Sequence, residues 1–228
     1  MPRRPRIATG GLVYHVLNRR VGRLPLFDTN QDYVAFERVL EEAVARTGIR
    51  LLAYCVMPNH WHLLLWPRND EVLSEALRWL TVTHTQRWHA AHRTAGTGPL
   101  YQGRFKSFPV QTDAHFLTVA RYVERNALRA NLVRRAENWQ WGSLWRHSRG
   151  DTNARGLLSD WPIPRPRLWQ DHVNRPETPQ ELEGLRRSTQ RGRPFGSESW
   201  QIRTAKRLSL GSTLRPRGRP RKETDDNE

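Results

Sequence analysis

The chain has 228 residues, enough for one compact domain with an extension or for two small domains, which excludes a large multidomain enzyme. Hydrophobic residues make up 37% of it and ten are Trp, so a core can form and a wholly disordered chain is excluded. Its 38 Lys plus Arg against 22 Asp plus Glu give a net charge of +16, a balance suited to a polyanionic partner, nucleic acid first.

Val13 to Asn18 is rich in β-formers and ends in Arg19 and Arg20, the pattern of a first strand leading into a basic loop. From Asp28 to Gly48, Tyr33, Phe36, Leu40, Ala43 and Val44 recur at helical spacing, with polar cap candidates at Asp28 to Asn30. Ile49 to Met57 and His60 to Trp66 are strand-like runs joined by Pro58-Asn59, which predicts a hairpin. The stripe Leu73, Ala76, Leu77, Leu80 and Trp88 predicts a second helix from about Glu71 to His92, broken by Gly96 to Gly103. Arg104 to Val110 reads as another strand. Thr112 then caps a third predicted helix, Asp113 to about Arg129, with the stripe Phe116, Val119, Ala120, Val123 and Ala127.

Strand, helix, strand, strand, helix, strand is the ferredoxin-like order: an α+β fold with an antiparallel sheet backed by two helices, the third helix lying elsewhere on the sheet. Ser148 to Pro179, rich in Pro and Arg, reads as a linker or an irregular wrap. Thr178-Pro179-Gln180-Glu181 has the form of an N-cap, an N1 proline and a capping-box glutamate, so a short helix to about Gln190 is expected. Ser197 opens another helix through Leu208. The expected division is a domain over 1–147, a linker with a short helix over 148–190, and a basic tail over 191–228.

In the strand His60 to Trp66 side chains alternate, so His60 and His62 share one face while Trp61, Leu63 and Leu65 take the other. Two imidazoles on one face make a metal-binding edge. On the third helix Tyr122 and Asn126 are four residues apart and so about 40° apart around the axis, with His115 and Arg129 extending the same polar face. The remaining histidines, His15 among them, show no ligand-like grouping.

MPNHWHLLLWP, YQGRFKSFPV and RYVERNALRANLV resemble successive motifs of the HUH single-tyrosine transposases, and the chain is similar to the subgroup of REP-associated tyrosine transposases over about residues 7 to 147. The tail after Pro194 also resembles tails of that subgroup. The resemblance implies that residues 1–147 are the transposase domain, that Tyr122 is the nucleophile, and that His60, His62 and Asn126 hold a divalent ion, Mg2+ or Mn2+. In the family the third ligand varies between Gln, Asn and others. The implied activity is cleavage and rejoining of single-stranded DNA at hairpin-forming repeats through a 5′-phosphotyrosine. Relatives work as dimers with shared active sites, so a homodimer and a monomer both remain open. The residues agree with this chemistry: a phenol with pKa near 10 is a poor nucleophile beside an anionic diester, and a Lewis acid on the non-bridging oxygens is the natural remedy. A noncatalytic DNA-binding or regulatory protein on the same fold is the alternative, and would leave this residue set without a purpose.

Gln102, Arg104 and Lys106, in the strand beside the third helix, are expected to meet the scissile strand, as is Arg129. Arg203 to Lys222 holds eight basic residues and no acidic one. Within it, Arg217-Gly218-Arg219-Pro220 looks like the core of an AT-hook for a narrow A·T minor groove; a solvated basic tail with phosphate affinity fits equally. Arg191-Gly192-Arg193-Pro194 repeats that core upstream, which adds Arg193 to the DNA-contacting candidates. Trp139, Trp141 and Trp145 read as core residues more than as base-stacking platforms. The lone Cys55 makes no intrachain disulfide, no apolar run is long enough for a membrane span, and MPRRPRIATGG lacks an apolar segment after its basic residues. A cytoplasmic protein is expected.

Overall fold

The computed structural model describes residues 8–149 and 156–215. β1 (Val13–Arg19), α1 (Asn30–Thr47), β2 (Arg50–Met57), β3 (His60–Trp66), α2 (Val72–His92) and β4 (Lys106–Val110) follow in the expected order. Among the described residues these strands form one sheet in the order β2-β3-β1-β4, and every neighbouring pair is antiparallel. This is the ferredoxin-like arrangement anticipated from the element order. α1 starts where its polar residues direct it: Thr29 Oγ1 accepts from the Asp32 N–H while the Asp32 carboxylate accepts from the Thr29 N–H, a reciprocal cap.

Strand alternation divides the apolar side chains between two layers. Tyr14, Val16, Trp61, Leu63 and Leu65 pack with Phe36, Leu40, Leu77 and Leu80 of α1 and α2. A bulge between Leu51 and Ala53 of β2 keeps Leu51, Tyr54 and Val56 on that side and sends Ala53, Cys55 and Met57 to the other. There they meet Phe116, Val119, Ala120, Val123 and Ala127, the stripe of α3 (Ala114–Glu124) and α4 (Asn126–Arg129). Each large side chain buried this way contributes roughly 1.5–3 kcal/mol. The third helix therefore lies on the sheet face opposite α1 and α2. It differs from expectation in two details: Asp113 and not Thr112 caps it, its Oδ1 accepting from the His115 N–H, and the helix is interrupted at Arg125 (φ −83°, ψ −2°).

The Pro- and Arg-rich stretch is an ordered wrap where it is described. After α5 (Ser143–Arg149), Trp161 meets Phe116 edge-on at 5.0 Å, and Trp169, at the start of α6 (Trp169–Asn174), donates its Nε1–H to Glu124 at 2.6 Å. α7 (Pro179–Arg191) begins at the expected Thr178–Glu181 capping box. The chain then crosses the free edge of β4, with the Phe195 N–H donating to Pro109 O and the Gln111 N–H to Phe195 O, each at 2.9 Å. Gly196 is required at that crossing, because a Cβ there would sit 2.5 Å from Gln111 Oε1. α8 (Glu198–Arg207) follows with Ser197 as its N-cap. The upstream Arg-Gly-Arg-Pro sequence is a helix terminus: Gly192 caps α7 in the left-handed region at φ 70°. Trp139 and Trp141 join the core as expected, Trp141 stacking on Tyr33 at 4.8 Å. Among the described residues no helix is long and apolar enough to cross a membrane.

Candidate active site

β1 and β3 present one polar cluster to the α3 face of the sheet. Register places Leu17 opposite His62 and Arg19 opposite His60, and β4 brings Lys106 opposite Leu17. Alternation then puts His15, Leu17, Arg19, His60, His62 and Lys106 on the same side. His60 and His62 have ring centroids 5.0 Å apart, as their spacing predicts. α3 lays Tyr122 over them: its ring stands edge-on to His62 at 5.8 Å and to His15 at 6.1 Å.

His15 is the residue that the sequence reading missed. It is fully buried, and its Nε2 lies 2.8 Å from His62 Nδ1 with the two rings stacked at 5.0 Å. The signal was present in the alternation of β1, but it needed the pairing of β1 with β3 to become a cluster.

Burial sets the charge state of these imidazoles. It pushes His60 down to about 3, with Arg19 and Arg129 adding to the effect, and His15 down to about 3, with Arg129 adding. Burial likewise holds His62 well below its ordinary value. All three are neutral near pH 7 and keep a lone pair for a ligand or a hydrogen bond. The Asn59 side-chain oxygen lies 2.6 Å from His60 Nδ1 and accepts its proton, which leaves His60 Nε2 bare. Asn126, 5% exposed on α4, has a buried Nδ2 with no hydrogen-bond partner in the described structure. Two neutral imidazoles on one sheet face fit a divalent ion, and Asn126 would add its side-chain oxygen, since the unpartnered Nδ2 is a donor and no ligand.

A different group of possible ligands, Asp28, Asp32 and His92, has donor atoms within 4.8 Å of one another. It lies at the start of α1, on the other layer, and Asp32 is already occupied in capping that helix.

Arg129 lies with its guanidinium carbon 4.0 Å from the centre of the Tyr122 ring. Its Nη1 also donates to Glu177 at 2.8 Å, and Arg125 pairs with the same carboxylate at 3.3 Å. Glu177, absent from the sequence-based candidates, comes from the wrap and is itself buried. Gln102, Arg104 and Lys106 are exposed and line one cleft of about 400 Å³ together with Asn18, Arg19 and Thr189. Arg193 is bonded to Gln201 between α7 and α8. Arg217, Gly218, Arg219 and Pro220 lie outside the described residues.

The sequence profile described as "Transposase IS200 like" matches residues 8–126, more than half of the chain and the part that carries His60, His62, Tyr122 and Asn126. No curated protein matches the chain. Among solved structures, a REP-associated tyrosine transposase bound to a REP hairpin superposes with a TM-score of 0.54 at 19% identity, over 72% of this chain and 93% of that one. A candidate transposase from Deinococcus radiodurans gives a TM-score of 0.40 at 18% identity, over 57% of this chain and 95% of that one. The first of these likenesses is one of fold.

Proposed function

The chain belongs to the IS200-like transposase family, and on that premise we propose that it is a REP-associated type of single-tyrosine transposase that cleaves and rejoins single-stranded DNA at hairpin-forming repeats. The observation that carries the reading is the position of Tyr122, which its own helix holds edge-on to His62 at 5.8 Å with a guanidinium on its ring face. One chain supplies the whole set, so a monomer suffices for the chemistry.

His60, His62 and Asn126 would hold the divalent ion, Mg2+ or Mn2+, and such an ion would polarise the non-bridging oxygens of the scissile phosphate. Tyr122 Oη attacks phosphorus, the bond from phosphorus to the 3′ oxygen breaks, and the phenolic proton is balanced by protonation of that 3′ oxygen. The products are a 5′-phosphotyrosine and a free 3′-OH. Because a phosphodiester bond is exchanged for another, attack by a 3′-OH on the phosphotyrosine rejoins strands without ATP. Arg129 holds the ring, and its positive charge favours the phenolate character that develops during attack. The basic cleft lined by Arg19, Gln102, Arg104 and Lys106 suits a sugar–phosphate backbone. Residues Arg217 to Pro220 are assigned to duplex flanks through the A·T minor groove.

Incubation with single-stranded hairpins and Mg2+ or Mn2+ tests the ion's part. His60→Ala and His62→Ala should each abolish cleavage, and excess chelator should do the same to the wild-type chain. Undiminished cleavage in chelator contradicts the assignment of these residues.

A further inference from the structure

We propose that His15 is a positioning residue that fixes which nitrogen of His62 is bare, and thereby sets the affinity of the His60–His62–Asn126 site for its ion. The inference rests on the reading of those three residues as an ion site.

A neutral imidazole has one N–H and one bare nitrogen, and a ligand nitrogen must be the bare one. For His60 the choice is made by the Asn59 oxygen at Nδ1. His62 has no such oxygen at its Nδ1; its partner there is His15 Nε2 at 2.8 Å. Two arrangements of this contact exist. If His15 donates, His62 carries its proton on Nε2 and that nitrogen is closed to an ion. If His62 donates, its Nε2 is bare and His15 must carry its own proton on Nδ1. Ion binding through Nε2 therefore requires His15 Nε2 to be an acceptor.

The surroundings leave His15 no competing role. It is 0% exposed, held between Phe108 at 4.9 Å and Tyr122 at 6.1 Å. Its Nδ1 has no partner in the described structure, so its one polar contact is with His62. Among the described residues His15, His60 and His62 do not bring three donor atoms within 4.8 Å of one another, so this geometry does not seat all three on one ion. A buried histidine with a single hydrogen bond, made to a ligand, is the outer partner that orients that ligand, and removing such partners weakens metal affinity by about 10–100-fold.

The test uses the full chain and Mn2+ alone, with binding followed by electron paramagnetic resonance. His15→Phe keeps the ring but removes the acceptor, and should weaken Mn2+ binding by about 10–100-fold. His15→Gln puts an acceptor oxygen near the former Nε2 and should restore affinity to within a few-fold of wild type. Long-range 1H–15N correlation on the Mg2+-loaded wild-type chain gives a reading independent of any variant. His15 should be protonated at Nδ1 and bare at Nε2. Equal Mn2+ affinity in His15→Phe, or His15 protonated at Nε2 in the loaded chain, overturns the inference while leaving the ion site intact. A wild-type chain that binds neither Mn2+ nor Mg2+ overturns the ion-site reading, and this inference with it.

Discussion

Tyr122 is fixed at the scale of single side chains by a relay that starts in the wrap. The Glu177 carboxylate holds Arg125 and Arg129, and Arg129 lies on the ring. Both guanidiniums retain some access to water, so removal of Glu177 weakens the relay without stranding a fully buried charge. Glu177→Gln should lower stability by about 2 kcal/mol, the contribution expected of hydrogen bonds to charged groups. It should also slow cleavage at saturating DNA more than it weakens DNA binding. Urea unfolding and single-turnover kinetics measure the two effects, and unchanged kinetics would mean that Arg129 keeps its place without Glu177. That His60 and His62 share one strand face was legible in the sequence because strand alternation is local, whereas Tyr122 was singled out by a family resemblance and not by its own spacing. His15 and Glu177 were not legible: each acquires its role from a contact distant in the chain, with His62 through strand register and with Arg129 through the wrap.

Among the elements, the helix that carries Tyr122 is pinned from outside as well as by its own apolar stripe. Glu124 accepts from Ser143 Oγ and Trp169 Nε1, each at 2.6 Å, and Arg121 pairs with Glu181. Trp169→Ala should cost about 3–5 kcal/mol because it empties a packed position, and should impair cleavage together with stability. The strands, α1, α2 and the capped α7 could be read in advance because alternation, apolar stripes and caps are short-range signals. For the stretch after α5 the Pro and Arg content left a linker and an irregular wrap both open, since the anchors that decide for the wrap are isolated tryptophans. The two Arg-Gly-Arg-Pro sequences carry the same lesson: the first terminates α7, a role decided by the helix before it. Residues 195–197 pair with the edge of β4, so truncation after Gln190 should expose that edge and yield an aggregating or noncooperative protein. Truncation after Arg215 should leave a cooperative fold in urea. It removes Arg217, Arg219, Arg221 and Lys222, and the salt slope of log affinity for duplex DNA should fall by about 0.9 for each phosphate that those side chains neutralise.

Across the whole molecule, the sheet separates the core layer that carries Tyr122 from the α1–α2 layer, which has a buried histidine of its own. His84 Nδ1 lies 2.7 Å from the Tyr101 hydroxyl, and burial pushes its pKa down to about 3. Its value in the unfolded chain is about 6.5, so between the two the unfolded state binds a proton that the folded state refuses. Its contribution to stability is therefore complete above that range and lost as pH falls through 6.5. His84→Gln should give a shallower decline of Tm between pH 6.5 and 4 than the wild-type chain shows, as read by thermal melts across that range. As the proposed nucleophile, Tyr122, brought over the histidine pair by its own chain, should become joined to DNA. Mass spectrometry of peptides after incubation with single-stranded hairpins and Mg2+ detects that linkage. The expected result is a 5′-phosphodeoxynucleotide adduct on Tyr122 and its loss in Tyr122→Phe, with DNA affinity retained. Cleaved DNA with no adduct, or an adduct that persists in Tyr122→Phe, would contradict it.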